Sequence, residues 1–194
     1  MGANVGQERD LYAKFNQKVL WVEPIPQVFE ILSSNLKSFP HQHAENRLIT
    51  DRDGAEYVFR VANNSVSSSI LALDRHREIW PEVHFESQMV LRSITLDTML
   101  DEIGAGPDDY RALVMDTQGS ELLVLKGARR LLKHICYVKT EAADFEVYVG
   151  CAKVEEVETF LSGFGFELTR ADKFAEKEGV GSCYDLLFRK RSRK

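Results

Sequence analysis

Apolar positions along the chain switch repeatedly between helical and strand spacing. Residues 7–15 place Leu11, Tyr12 and Phe15 on one helical face. Residues 19–23, VLWVE, read as a short strand that Pro24 and Pro26 terminate. Pro26 suits the first turn of a following helix, since its ring fixes a helical φ and its missing N–H has no helical partner there. That helix carries Val28, Phe29, Ile31, Leu32 and Leu36 and is expected to end near Lys37. Residues 48–50 and 55–61 read as two strands of a hairpin, with Asp53-Gly54 as its turn. Residues 62–69, ANNSVSSS, form a polar loop, and residues 87–94 another strand. Thr95 is placed to cap the helix TLDTMLDEI by accepting from its first free amides. Residues 112–116 and 135–141 are apolar runs that end in acids, and helical periodicity follows the first of them. Residues 154–161 read as a helix, and residues 166–169 and 184–188 as a closing strand pair.

Strands that alternate with helices in this way call for a mostly parallel sheet with helices on both faces. Three strands end in Glu23, Asp116 and Glu141. In open α/β sheets the ligand crevice lies at the carboxyl ends of the strands. The three acids are therefore expected to gather at one edge. No repeat or long linker interrupts the pattern, so a single domain over residues 1–194 is expected, with residues 189–194 as a basic tail dangling in solvent.

The opening GANVGQ adds candidate chemistry. Gly2 and Gly6 let backbone approach a ligand, and the helix that follows aims free amides at a carboxylate or phosphate. Asn4 offers a side-chain amide. Glu23 follows Gly2 by roughly 20 residues, the offset at which a carboxylate accepts from ribose hydroxyls. The other reading of Glu23 is a solvated acid at a strand end. Asp116 is suited to orient an acceptor hydroxyl, take its proton, or bind the ammonium group of a cofactor. Glu141 would hang over the same edge, where paired carboxylates shift each other's pKa. Glu121 lies in the next helix, facing the site, solvent or the preceding turn. The ANNSVSSS loop either lines a polar pocket or is plain solvated chain. Tyr12, Trp21 and Trp80 are expected to be packing residues.

Composition narrows the function. Net charge is −5, which argues against a nucleic-acid binder. No apolar run approaches a membrane span and no leader pattern is visible, so a cytoplasmic protein without a membrane partner is expected. The three cysteines, Cys136, Cys151 and Cys183, form no CxxC pair, which fits a reducing compartment. His41 and His43 alternate in a polar stretch, but no Cys or carboxylate pattern completes a metal site, so none is assigned.

With these motifs in view, the chain resembles the FkbM family of S-adenosylmethionine-dependent methyltransferases. The resemblance rests on GANVGQ, VLWVEPIPQVFEIL, VANNSVSSSIL, the TLD at Thr95, LVMDTQGSELLVLKGA and VKTEAADFEVY, which follow the family's order along almost the whole chain. It implies a Rossmann-like class I methyltransferase sheet that closes with an antiparallel C-terminal hairpin. It implies methyl transfer to a hydroxyl of a sugar or secondary metabolite, so the partner is a small-molecule or glycan acceptor. It supports Gly2, Asn4 and Gly6 as the loop at the cofactor's methionine end and Glu23 as the ribose acid, so cofactor binding is expected at Gly2, Ala3, Asn4, Gly6 and Glu23; the strand-end positions read above make Asp116 and Glu141 the expected catalytic residues. The family pattern also has an apolar strand and an acid ahead of GAN, where this chain has Met1. The strand so implied would lie between the strands that end at Glu23 and Asp116. Without it, self-association through the gap, weakened cofactor binding or a scaffold without turnover is expected. A nicotinamide-dependent oxidoreductase is disfavoured, because GANVGQ lacks the last glycine of a GxGxxG fingerprint.

Overall fold

The structure is a computed structural model that describes residues 1–191. Among the described residues six α-helices and nine strands run in the order α1 (Arg9–Lys14), β1 (Val19–Val22), α2 (Pro26–Asn35), β2 (Gln42–Glu45), β3 (Leu48–Ile49) and β4 (Glu56–Ala62). They continue with α3 (His76–Ile79), β5 (Phe85–Ile94), α4 (Leu96–Glu102), β6 (Ala112–Met115), α5 (Glu121–Lys126), β7 (Tyr137–Ala143), α6 (Val154–Ser162), β8 (Phe166–Lys177) and β9 (Gly181–Lys190).

The strands form three groups, ordered β1-β2, β3-β5-β4 and β6-β7-β9-β8. Pairings β1-β2, β3-β5 and β6-β7 are parallel, and β4-β5, β7-β9 and β8-β9 are antiparallel. The expectation of a mostly parallel sheet is therefore corrected to a mixed α/β fold. The physical reason is that β4 and β5, as well as β8 and β9, run long and pair directly, so antiparallel ladders carry as many pairings as parallel ones. The closing antiparallel hairpin is present and reaches beyond its apolar stretch. The polar residues of β8 are exposed, so alternation fades there while the backbone ladder to β9 continues.

The hairpin expected at Asp53-Gly54 does not form. β5 inserts between β3 and β4 and pairs with both. Asp53 serves a different junction: its carboxylate accepts from Thr95 N at 2.6 Å and Thr98 Oγ1 at 2.9 Å. Thr95 caps α4 as expected, accepting from Thr98 N at 3.2 Å. β2 carries no apolar period to announce it. It is held by its ladder to β1 and by Gln42, which accepts from Trp21 Nε1 at 2.9 Å and donates to the Arg9 carbonyl at 2.7 Å.

Packing centres on one large cluster. Met99, Val124, Leu125, Leu132, Val138, Leu161, Phe166 and Phe188 bring α4, α5, α6 and β6, β7, β8, β9 together. The face proposed for α1 is not buried: Leu11 and Phe15 are 53% and 62% exposed, and only Tyr12 packs, against Trp21 at 5.5 Å. The basic run begins inside β9 and not beyond it. Arg189 pairs with Glu167 at 3.0 Å, and Lys190 donates to the Leu132 carbonyl. Arg193 and Lys194 lie outside the described residues.

The first residues occupy the slot between β1 and β6. Met1 N donates to Val114 O at 2.8 Å, Asp116 N donates to Met1 O at 3.1 Å, and Ala3 N donates to Val22 O at 3.1 Å. β1 and β6 do not pair with each other. Gly2 is squeezed in this slot. Its φ is +68°, and a Cβ there would lie 1.7 Å from the Asp116 carbonyl oxygen. Gly6, at φ +73°, would place a Cβ 2.8 Å from Leu32 Cδ1. Both glycines are thus required by protein packing in addition to any ligand. Gly2→Ala should destabilise the fold by at least about 1–2 kcal/mol, the left-handed penalty before the clash is added. That corresponds to a melting-temperature loss of at least ~2 °C. An unchanged thermal melt would show that the segment is not clamped between β1 and β6.

Candidate active site

β6 ends at Met115, and the chain turns through Asp116, Thr117, Gln118 and Gly119 before α5 begins. Gln118 adopts φ +53°, an uncommon value for a side-chain-bearing residue. Four side chains hold the turn. Glu121 Oε1 accepts from Thr117 N at 2.8 Å, Thr117 Oγ1 at 3.1 Å and Gly119 N at 3.3 Å. Gln118 Nε2 donates to Asp116 Oδ1, and Tyr148 OH donates to Gln118 Oε1 at 2.6 Å. Ser69 Oγ donates to the Gln118 carbonyl at 2.7 Å. Glu121 therefore bonds the preceding turn and does not face solvent. Gln118, Ser69 and Tyr148 were not read as site residues. The only sequence signal for them was their place in DTQGSE, in the serine loop and in FEVY.

The ANNSVSSS loop is not plain solvated chain. Ser67, Ser68 and Ser69 are buried. Ser68 Oγ accepts from Ala62 N at 3.0 Å, and Asn64 Oδ1 accepts from Ser67 N at 3.1 Å. Loop and turn together wall a cavity of about 260 Å³. Asp116, Gln118, Glu121 and Glu141 line one part of it; His76, Trp80, Tyr148 and Phe174 line another. Trp80 packs as expected, against the cluster that holds Phe145, Tyr148 and Cys183, and also lines the cavity, its ring tilted against that of His76 at 4.8 Å between centroids.

Of the acids expected at one edge, Asp116 and Glu141 meet at this cavity, because the parallel register sets Met115 beside Thr140. Burial raises the carboxyl of Asp116 above its ordinary range, against the opposing hydrogen bond from Gln118. Glu141 is pushed up to about 8 by burial and then by the charges of Asp116, Asp185 and Glu121. Glu121 is pushed up to about 7, again chiefly by burial. The cavity therefore holds more acid than charge near neutral pH.

Glu23 and the 2–6 turn lie outside the cavity lining and form a second cluster. Glu23 is 4% exposed, so it is not a solvated acid. Its Oε2 accepts from Asn4 N at 2.8 Å and its Oε1 from Ile25 N at 2.9 Å. Burial raises its pKa, and these two amides oppose the rise. Asn4, itself at φ +45°, donates through Nδ2 to Ser65 Oγ at 3.3 Å. The two clusters are joined there, since Asn64 of the same loop lines the cavity, and also through Gly2 against the Asp116 carbonyl.

Side chains gather at strand ends around one partly apolar cavity, the place where open α/β scaffolds hold their ligands. The particular family is shown by comparison: the family model for the methyltransferase FkbM domain matches residues 1–168, and the chain belongs to that family. No curated protein matches the chain. No helix among the described residues is long and apolar enough to cross a membrane.

The raised acids carry a pH signature. An acid with an ordinary pKa near 4.5 when unfolded and about 8 when folded keeps extra protons in the folded state between those values. Stability from Glu141 is therefore full below about pH 4.5 and lost as pH rises through about 8. Glu141→Gln cannot ionise and should escape that loss. Its melting temperature should match the parent near pH 5 and exceed it by at least ~2 °C near pH 9. A difference that stays constant across pH would remove Glu141 from the buried cluster.

Proposed function

We propose that the chain transfers the methyl group of S-adenosylmethionine to a hydroxyl of a sugar or secondary metabolite, on a Rossmann-like class I arrangement in a cytoplasmic protein. The observation that carries this reading is the adjacency of two clusters in a methyltransferase family member. One is a buried strand-end glutamate fastened to a left-handed turn. The other is a cavity walled by acids and aromatic rings.

The residues fit the cofactor. Each Glu23 carboxylate oxygen keeps a lone pair after accepting one backbone amide, so ribose hydroxyls still find an acceptor there. Gly2, Ala3, Asn4 and Gly6 supply the turn beside it. Asp116 lies across Gly2 from this turn, where its carboxylate suits an ammonium or sulfonium charge. No lysine or arginine lines the cavity among the described residues, so nothing there repels such a cation. When bound, S-adenosylmethionine supplies an electrophilic methyl group.

The protein's own part is orientation and proton handling. Held at Glu23 and the 2–6 turn, the donor would present that methyl group to an acceptor hydroxyl oriented in the cavity beside Asp116 and Glu141. The hydroxyl proton passes to the Asp116–Glu141 pair. Because burial raises both carboxyls, the deprotonated member is a stronger base than a solvated acid. Gln118 fixes Asp116, and Tyr148 fixes Gln118.

Calorimetric titration should show S-adenosylmethionine binding and no NAD binding. Glu23→Ala should weaken that binding by about 1–3 kcal/mol, the loss expected for a charged acceptor. Unchanged affinity would remove Glu23 from the site. Asp116→Asn should fold normally, because Asn keeps an acceptor for Gln118. It should slow label transfer from tritiated methyl donor to a panel of hydroxylated acceptors by at least ~10²-fold. Parental rates would overturn the proton-handling role.

A further inference from the structure

Tyr148 is buried, and its ring packs against that of His76 at 5.2 Å between centroids. Its hydroxyl donates to Gln118 Oε1 at 2.6 Å, while the Ser67 carbonyl lies farther off at 3.4 Å. Gln118 Nε2 in turn donates to Asp116 Oδ1. Chemistry fixes the direction of this chain. Burial, and after it the charges of Glu121, Asp116 and Glu141, push the Tyr148 phenol up, so its oxygen keeps a proton to give. An amide oxygen only accepts and an amide nitrogen only donates. Turned the other way, Gln118 would set its oxygen against the Asp116 carboxylate, acceptor facing acceptor. The end that reaches Asp116 is therefore the donor, and a donor holds a carboxylate more strongly than a neutral carboxyl.

The two acids of the pair are thus not equivalent. Beside the Gln118 amide, the Met1 amine and Lys139 favour the charge of Asp116, and Asp185 opposes it. Glu141 meets the charges of Asp116, Asp185 and Glu121, with Lys139 opposing them. Asp116 also raises Glu121. The other titratable groups of the lining are neutral. Burial pushes Cys183 up to about 12 and raises Cys151, and it lowers His76 to about 4. The first proton to leave the pair therefore leaves Asp116, the member with a donor aimed at it. Glu141 then keeps its own proton more firmly, because a like charge stands beside it.

We propose that Tyr148 is a positioning residue: through the Gln118 amide it aims the Asp116 carboxylate at the acceptor hydroxyl, so that Asp116 takes the proton and Glu141 keeps its own. The acceptor O–H bond breaks as the Asp116 O–H bond forms, and Glu141 is left as a hydrogen-bond donor toward the cavity. This role rests on the reading of the cavity as the place of methyl transfer. The turn itself is closed by Glu121 and by Ser69 Oγ, which donates to the Gln118 carbonyl at 2.7 Å. Loss of the phenol oxygen therefore leaves the turn in place and frees only the Gln118 amide.

The test is a site-resolved magnetic-resonance titration of the full chain, isotope-labelled at its side-chain carboxyl carbons, from about pH 4 to about pH 10. Asp116 should lose its proton at lower pH than Glu141. Glu141→Gln should leave the Asp116 midpoint within about 0.3 pH units, because a protonated Glu141 has no charge to remove. Gln118→Met should raise that midpoint by at least ~1 pH unit, the size of a hydrogen bond to a charged group. Tyr148→Phe keeps the ring and should raise it in the same direction, with the circular dichroism of the parent. Methyl transfer by Tyr148→Phe to the hydroxylated acceptors should be slowed near about pH 6 and return toward the parental rate near about pH 9, where Asp116 is charged again. Glu141 ionising first, an Asp116 midpoint that falls by ~1 pH unit or more in Glu141→Gln, an Asp116 midpoint unmoved in Gln118→Met and Tyr148→Phe, or equal slowing at both pH values overturns the proposal. S-adenosylmethionine is titrated into the parent as well. Binding with the reverse order of ionisation sinks the role of Tyr148 and leaves methyl transfer standing. The expected order without S-adenosylmethionine binding sinks the methyl-transfer reading, and the proton-taking role with it.

Discussion

One oxygen of Glu121 organises the site by accepting from Thr117 N, Thr117 Oγ1 and Gly119 N at once. Those donors span the turn that leaves β6, and a buried turn has no water to satisfy them. Closing the turn this way forces Gln118 into the left-handed region and sends its side chain to Asp116 and Tyr148. Strain in the backbone is thus offset by three side-chain contacts. The cavity, the position of Asp116 and the seating of the serine loop all follow from that closure. Burial of Glu121 also raises its neighbours, since every charge there is felt in a poorly solvated setting.

The site has two halves that meet at a narrow seam. Glu23 holds the glycine turn by accepting from Asn4 and Ile25. Asp116 and Glu141 face the cavity with the aromatic wall opposite in composition. Gly2 packs against the Asp116 carbonyl, and Asn4 reaches Ser65. The two halves therefore touch directly, at the approach of Gly2 to the Asp116 carbonyl and at the Asn4–Ser65 side-chain bond. GANVGQ, VEP and MDTQG each supply one side of this junction.

Much of the scaffold was legible because apolar periodicity and caps act locally. The β1 and β6 runs, the Pro26 start of α2 and the Thr95 cap follow from single residues and their neighbours. Pairing was less legible. Asp53-Gly54 carries a good hairpin signal, but β5 offers β4 a ladder of seven residue pairs where the two-residue β3 could offer only two, so tertiary pairing prevailed over turn chemistry. β2 went unread because its one buried side chain is a glutamine. In the site, the acids were legible from their place at strand ends. Gln118, Tyr148 and His76 were not, because their roles depend on long-range packing of isolated residues with no spacing rule. Trp80 was read as packing because an aromatic residue alone gives no sign of the cavity beside it.

The account places a nucleoside at Glu23 and a reacting methyl group at the seam facing Asp116 and Glu141. A crystal structure with S-adenosylhomocysteine tests this most directly. The account predicts ribose hydroxyls within hydrogen-bond distance of the Glu23 carboxylate and the thioether sulfur directed into the cavity lined by Asp116, Glu141 and His76. A ligand whose ribose contacts residues other than Glu23, or whose sulfur points away from that cavity, would contradict it.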